Sequence, residues 1–169
     1  ALSSGVILTL SAAGQYSLLR LLAVNAFISA AIVAVFRSRL LPRRPAGPLR
    51  WTAAIPAALV LLGAVLFFPP AEHVVGGKDP GVYLNEGVQL ARTGSFVIQD
   101  EVVSRVPPRM RDLFFPSHGN PTYYGLRFMG FRILDPDAGT IIGQFPHLYP
   151  GWLAVGYGIG GLQGALRTT

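Results

Sequence analysis

Long apolar stretches flank one polar stretch in this chain, and the lengths of those stretches predict its elements. From Leu18 to Phe36 the apolar run is broken only by Arg20 and Asn25. That is the roughly 20 residues needed to cross a hydrocarbon core about 30 Å thick, so a transmembrane helix is predicted over 18–36. Val6 to Ala13 is a shorter apolar run, set off by Gly14 and Gln15. Residues 1–13 therefore read as the end of a preceding, truncated helix, with Arg20 near an interface where its stem can snorkel. Trp51 to Phe68 predicts a second span, with Trp51 at the interface, Pro56 in its first turns and Pro69-Pro70 ending it. Leu148 to Leu166 predicts a third within 147–169, closed by Arg167. Its Gly156, Gly160 and Gly164 form a ladder that would let a neighbouring helix approach closely.

The polar stretch, 72–146, holds all the acidic residues and most of the turn formers. Pro80 to Arg92 predicts a helix, with Asp79 at the N-cap, Pro80 at the first position, and Tyr83, Gly87, Leu90 and Ala91 on one face; Thr93-Gly94 ends it. Phe131–Leu134 and Thr140–Phe145 flank Asp135-Pro136-Asp137-Ala138-Gly139, which predicts a hairpin. Ser95 to Val103 predicts another strand. Pro107-Pro108, Pro116 and Asn120-Pro121 place a loop between them.

Composition agrees with a lipid solvent: 51% of residues are hydrophobic and 13% charged. The net charge of +6 would suggest nucleic acid were it not so segregated. Before Glu72 the charged side chains are Arg20, Arg37, Arg39, Arg43, Arg44 and Arg50, with no acid among them, whereas 72–146 is nearly balanced. The arginines of 37–50, interleaved with Pro42, Pro45, Gly47 and Pro48, predict a cytosolic turn by the positive-inside rule. The expected fold is thus mainly α: polytopic transmembrane helices (1–71 and 147–169) carrying an extracytoplasmic α/β loop domain (72–146) in the plasma membrane. Nucleic acid is excluded as a partner, and the lipid bilayer is expected. The absence of cysteine removes disulfides, thiolate metal sites and cysteine nucleophiles. Because the first residue is Ala, the chain reads as an internal piece.

Two positions could carry chemistry. Asp79 follows a predicted span closely, so its carboxylate lies near the outer lipid interface. It can cap a helix, or serve as a general base or metal ligand toward a lipid-borne substrate. Gly76-Gly77 is too sparse for a phosphate-binding glycine loop. His147, in Phe145-Pro146-His147-Leu148-Tyr149-Pro150, stands where the chain re-enters the membrane. It and Tyr149 are either interfacial anchors or ligand-binding groups, the imidazole being suited to a lipid phosphate. His73 and His118 have no metal-ligand spacing with each other or with His147. Tyr123, Tyr124, Phe128 and Phe131 could stack on sugar rings or form a core.

Lys78-Asp79-Pro80-Gly81-Val82-Tyr83, then Leu90-Ala91-Arg92-Thr93-Gly94-Ser95, then His147-Leu148-Tyr149-Pro150 with Gly161 beyond, resembles the GT-C class of membrane glycosyltransferases. It is similar in particular to the bacterial branch related to protein O-mannosyltransferases and the aminoarabinose transferase of lipid A. The resemblance covers Gly76 to Gly164. It implies an inverting glycosyltransferase that moves a sugar from a polyprenyl-phosphate donor to a glycan, lipid or protein acceptor of the cell envelope. Asp79 would be the catalytic base or a divalent-metal ligand; Pro80 stands where many members carry a second acid, which leaves the metal open. His147, Lys78, Arg92 and Tyr83 would bind substrate or its lipid phosphate, with Asp79 and His147 meeting across one phosphate. As an isolated piece lacking later helices, the chain is expected to be inactive. The alternative is a non-enzymatic membrane protein, a transporter, export or sensor subunit with an extracytoplasmic binding loop. A transporter should carry ionisable residues within its spans, and only Arg20 is available.

Overall fold

The computed structural model describes residues 1–40, 54–67, 79–116, 126–127 and 130–168, and only the backbone at 38, 40, 67, 126 and 127. In chain order the elements are α1 (Leu2–Ala12), α2 (Leu18–Leu40), α3 (Ala54–Phe67), α4 (Asp79–Thr93), β1 (Val97–Gln99), α5 (Glu101–Arg105), α6 (Arg111–Phe114), β2 (Leu126–Arg127), β3 (Phe131–Asp135), β4 (Thr140–Gly143) and α7 (Leu148–Leu166). A 3-10 turn, Pro108–Met110, precedes α6. The four strands form one antiparallel sheet in the order β1-β4-β3-β2.

The expected polytopic architecture is corrected. Among the described residues the chain is mostly helical, and one helix, α2, is long and apolar enough to cross a membrane, over Leu18–Arg37. The described part of α3 has 14 residues, a rise of about 21 Å against the roughly 30 Å of a hydrocarbon core. The start of the expected second span at Trp51, and most of the arginine-rich turn, lie outside the described residues. Arg37 and Arg39 belong to the last turn of α2 rather than to a loop. They suit the carbonyl-rich end of the helix.

Helix α7 fails as a straight span for a different reason. Its backbone leaves helical geometry at Gly160 (φ −137°, ψ 23°) and Gly161 (φ 60°, ψ −149°). A side chain is strongly disfavoured at the second pair of angles, which is why glycine stands there. Past this elbow the chain folds back, so that Gly156 meets the Gly164 carbonyl and the Thr168 hydroxyl. Gly156 and Gly164 thus pack against each other within the same chain, while Gly160 has no neighbour among the described residues within 4 Å of an added Cβ. The straight part before the elbow rises only about 18 Å.

Asp79 and Pro80 start α4 and Gly94 follows its end, close to the predicted bounds, but Asp79, expected at the N-cap, is itself the first helical residue. The Gly94 N–H donates to Leu90 O (2.9 Å), and the Gly94 carbonyl accepts from the Tyr16 N–H (3.0 Å), tying the α1–α2 corner to the end of α4. That corner forms because Gly14, at φ 66°, breaks the helix, and Arg20 Nη1 closes it on Gln15 O (3.1 Å). Ile7, Tyr16, Leu21, Leu90, Phe96 and Ala154 bury together around this junction. A second cluster, Ile98, Val103, Phe115, Ile133 and Ile141, lies on the sheet. Ile142 turns to the first cluster while Ile141 serves the second, the alternation expected of a strand covered on both faces.

The predicted hairpin is present as β3 and β4, paired through Ile133↔Ile141. Its turn is held by Asp135, whose Oδ1 accepts from the N–H groups of Asp137 (2.8 Å) and Ala138 (3.0 Å). The third predicted strand is shorter than its apolar run. It stops at Gln99 because Asp100 caps α5, Oδ1 accepting from Val102 N (2.8 Å) and Val103 N (3.2 Å). Where prolines predicted a loop, the 3-10 turn and α6 form instead, Pro108 occupying a helix-start position.

Candidate functional site

The site is built where α4 crosses the start of α7. Their close approach depends on Gly87: an added Cβ would stand 2.6 Å from Leu153 Cβ and 2.9 Å from Pro150 O. Beside Gly87, and drawn into the same contact, is Glu86, whose residue is only 1% exposed. A buried carboxylate needs a partner. Glu86 Oε1 finds it in His147 Nδ1, with which it makes a short hydrogen bond. Space for the carboxyl comes from β4, since any Cβ at Gly143 would collide with it.

His147 occupies the position just before α7. Its ring lies nearly parallel to that of Phe96, centroids 4.5 Å apart with planes 25° off. Glu86 therefore holds one edge of the imidazole and Phe96 one face, while 28% of the side chain stays exposed. Among the described residues nothing bonds His147 Nε2, and Glu86 Oε2 is buried without a partner. Burial pushes the Glu86 carboxyl above its ordinary value of 4.5, and the charge and hydrogen bond of His147 pull it part of the way back.

Aromatic rings continue the site toward solvent. Tyr83 lies 5.1 Å from Phe145 and 5.2 Å, edge-on, from Tyr149 (centroid distances). Tyr83 also sits one turn before Glu86 on α4, and Asp79 one turn before Tyr83. Asp79, Tyr83 and Glu86 are spaced i, i+4, i+7 and so share one stripe of the helix. Exposure falls along the stripe, from Asp79 in solvent through half-buried Tyr83 to buried Glu86. Asp79 and Glu86 are separated by about 10 Å of helical rise.

The sequence-predicted residues are thus sorted by the structure. Tyr83 packs on Phe145 and Tyr149, which flank His147 in sequence, and His147 itself bonds Glu86, one turn along α4 from Tyr83. No described contact joins Asp79 to His147; they are linked through the stripe. Arg92 is exposed in the last turn of α4, six positions beyond Glu86, which turns it about 120° away from the stripe. It does not belong to this site. Lys78 lies outside the described residues, as do His73, His118, Tyr123, Tyr124 and Phe128. No group of three His, Asp or Glu able to hold a metal gathers among the described residues.

Sequence reasoning missed Glu86. A signal was available: a carboxylate between Tyr83 and Leu90, at the spacing of the apolar stripe and beside a glycine, is placed on the buried face of the helix. Phe96 gave no such signal. No protein-family model, curated protein or solved structure matches the chain.

Proposed function

We propose that the chain is part of an inverting membrane glycosyltransferase, which moves a sugar from a polyprenyl-phosphate donor to a hydroxyl of an envelope acceptor. The observation that carries this reading is the graded stripe of α4, with an exposed acid, Asp79, at one end and, at the other, buried Glu86 anchoring the imidazole of His147. Inversion needs the base and the leaving phosphate on opposite sides of the anomeric carbon, so the groups that serve them should stand apart.

In this reading the acceptor oxygen bonds to the anomeric carbon as the bond from that carbon to the phosphate oxygen breaks. The bonding pair leaves with the polyprenyl phosphate, and Asp79 takes the hydroxyl proton. His147 stabilises the negative charge growing on the phosphate, while Tyr83 and Tyr149 offer ring faces to the sugar. Such a base contributes about 10² to 10⁴ in rate.

Membrane placement supports the same reading. Arg37 and Arg39 end α2, and the positive-inside rule sets that end in the cytosol. The opposite end adjoins Tyr16, which is bonded to the end of α4. The site then stands on the extracytoplasmic face of the plasma membrane, where an isoprenoid tail stays in lipid and its phosphate lies at the interface.

The test is Asp79→Asn in the full-length protein, with transfer measured from polyprenyl-phosphate sugars. A fall of about 10²-fold or more, with unfolding unchanged, is expected. Transfer within about tenfold of wild type sinks the general-base role. If the full-length wild type consumes no such donor, the non-enzymatic binding reading replaces this one.

A further inference from the structure

Glu86 and His147 together constrain where protons can sit. The carboxyl is 1% exposed, one oxygen bonds Nδ1, and the other has no partner among the described residues. Among the described residues, the elements packed around it bring no other full charge. Helix α1, β1, β4 and α7 contain no Asp, Glu, Lys or Arg; α4 itself adds only Asp79, two turns away, and Arg92, on another face. The titratable rings of this junction are Tyr83 and Tyr149, which pack on each other, and Tyr16, buried in one cluster with the Phe96 that stacks on His147.

Three proton arrangements fit the Oε1···Nδ1 contact. A carboxylate can face a neutral imidazole protonated at Nδ1, which leaves a net negative charge in a buried place and a bare lone pair on Nε2. A carboxylate can instead face an imidazolium, or a carboxylic acid can donate to Nδ1. The last two are net neutral. Burying an uncompensated charge is the costliest of these options, and both neutral forms have a hydrogen on Nε2.

We propose that Glu86 is a positioning residue that keeps one proton between its Oε1 and His147 Nδ1, so that His147 presents Nε2–H as a fixed hydrogen-bond donor and does not act as a base. The ligand it suits is an oxygen acceptor, above all a phosphoryl oxygen. Phe96 fixes the ring plane and Glu86 the ring edge, which aims that N–H before any ligand arrives. The identity of the phosphate as that of a polyprenyl donor rests on the function proposed above; the proton placement does not.

The experiment is nitrogen NMR of histidine-labelled full-length protein in phosphatidylcholine nanodiscs, with His147 assigned by His147→Gln. At pH 7 the wild type should show a protonated Nε2. In Glu86→Leu, which can neither donate nor accept, nothing holds the Nδ1 edge and His147 should show mixed tautomers, whereas Glu86→Gln, whose amide N–H can donate to Nδ1, should keep the hydrogen on Nε2. A bare Nε2 in the wild type at pH 7, or an unchanged His147 signature in a folded Glu86→Leu, overturns the proposal. Should Glu86→Leu not fold, the wild-type spectrum still decides. Adding a polyprenyl phosphate should shift the Nε2–H signal, and Glu86→Leu should weaken that binding about tenfold. A protonated Nε2 that no polyprenyl phosphate perturbs would keep the proton placement and remove the donor-lipid reading.

Discussion

Glu86 and His147, 61 positions apart in sequence, are bonded across the junction of α4 and α7, and each belongs to a different element. Their contact therefore reports whether the two helices are docked. It exists because Gly87 and Gly143 let helix and strand come close enough to enclose a carboxyl.

The pH dependence of stability should carry the mark of Glu86. Unfolded, the carboxyl titrates at its ordinary value of 4.5; folded, burial raises it. The native state then holds the proton more tightly, so this contribution is complete below pH 4.5 and is lost as pH rises through the folded value. Urea unfolding from pH 4 upward should show the wild type losing stability relative to Glu86→Gln, which cannot titrate. A wild type that gains on the variant with rising pH would contradict the assignment.

Gly87→Ala sets two effects against each other. Helix propensity favours alanine by about 1 kcal/mol, whereas the new methyl would meet Pro150 O at 2.9 Å and Leu153 Cβ at 2.6 Å. A carbonyl within a helix cannot step aside as a flexible side chain can, so packing wins. Denaturation should show a net loss of about 1–3 kcal/mol.

At the elbow of α7, neighbouring glycines should respond differently to alanine. Gly161 has φ 60° and ψ −149°, angles that cost a side chain about 1–3 kcal/mol. Gly160 has negative φ and nothing within 4 Å of an added Cβ. Gly161→Ala should lower the unfolding midpoint clearly more than Gly160→Ala. Equal effects would mean that α7 is not bent at Gly161.

Because the chain has no cysteine, single cysteines can report the orientation of α2. In intact cells a membrane-impermeant maleimide should label Arg109→Cys, exposed just before α6, and spare Arg39→Cys at the other end of α2. The reverse pattern would place the site in the cytosol and exclude an extracytoplasmic transferase.

The parts of the fold that rest on local signals were legible in sequence. The apolar run of α2, the Asp79-Pro80 start and Gly94 stop of α4, and the Asp135 turn each act within a few residues. What needed tertiary structure was not. Gly156, Gly160 and Gly164 are spaced as a packing ladder whether they meet another helix or their own chain turned back; only the backbone at Gly161 separates the cases. Apolar length alone made α7 look like a span, yet much of its surface is covered by α1 and α4. His147 was recognised and its partner was not, because a glutamate in an amphipathic helix ordinarily faces water. Asp79 was expected to meet His147 across one phosphate; the structure places Asp79 about two turns along α4 from Glu86, the residue that bonds His147.

The bond between Tyr16 N–H and the Gly94 carbonyl couples the start of α2 to the end of α4. Were α2 to cross a bilayer, its apolar length would set its own level in lipid, and this joint would hand that level on to the end of α4. Under the function proposed above, a substrate held at that depth by its own tail would already be at the right height, whereas one free in solution would have to find it by diffusion.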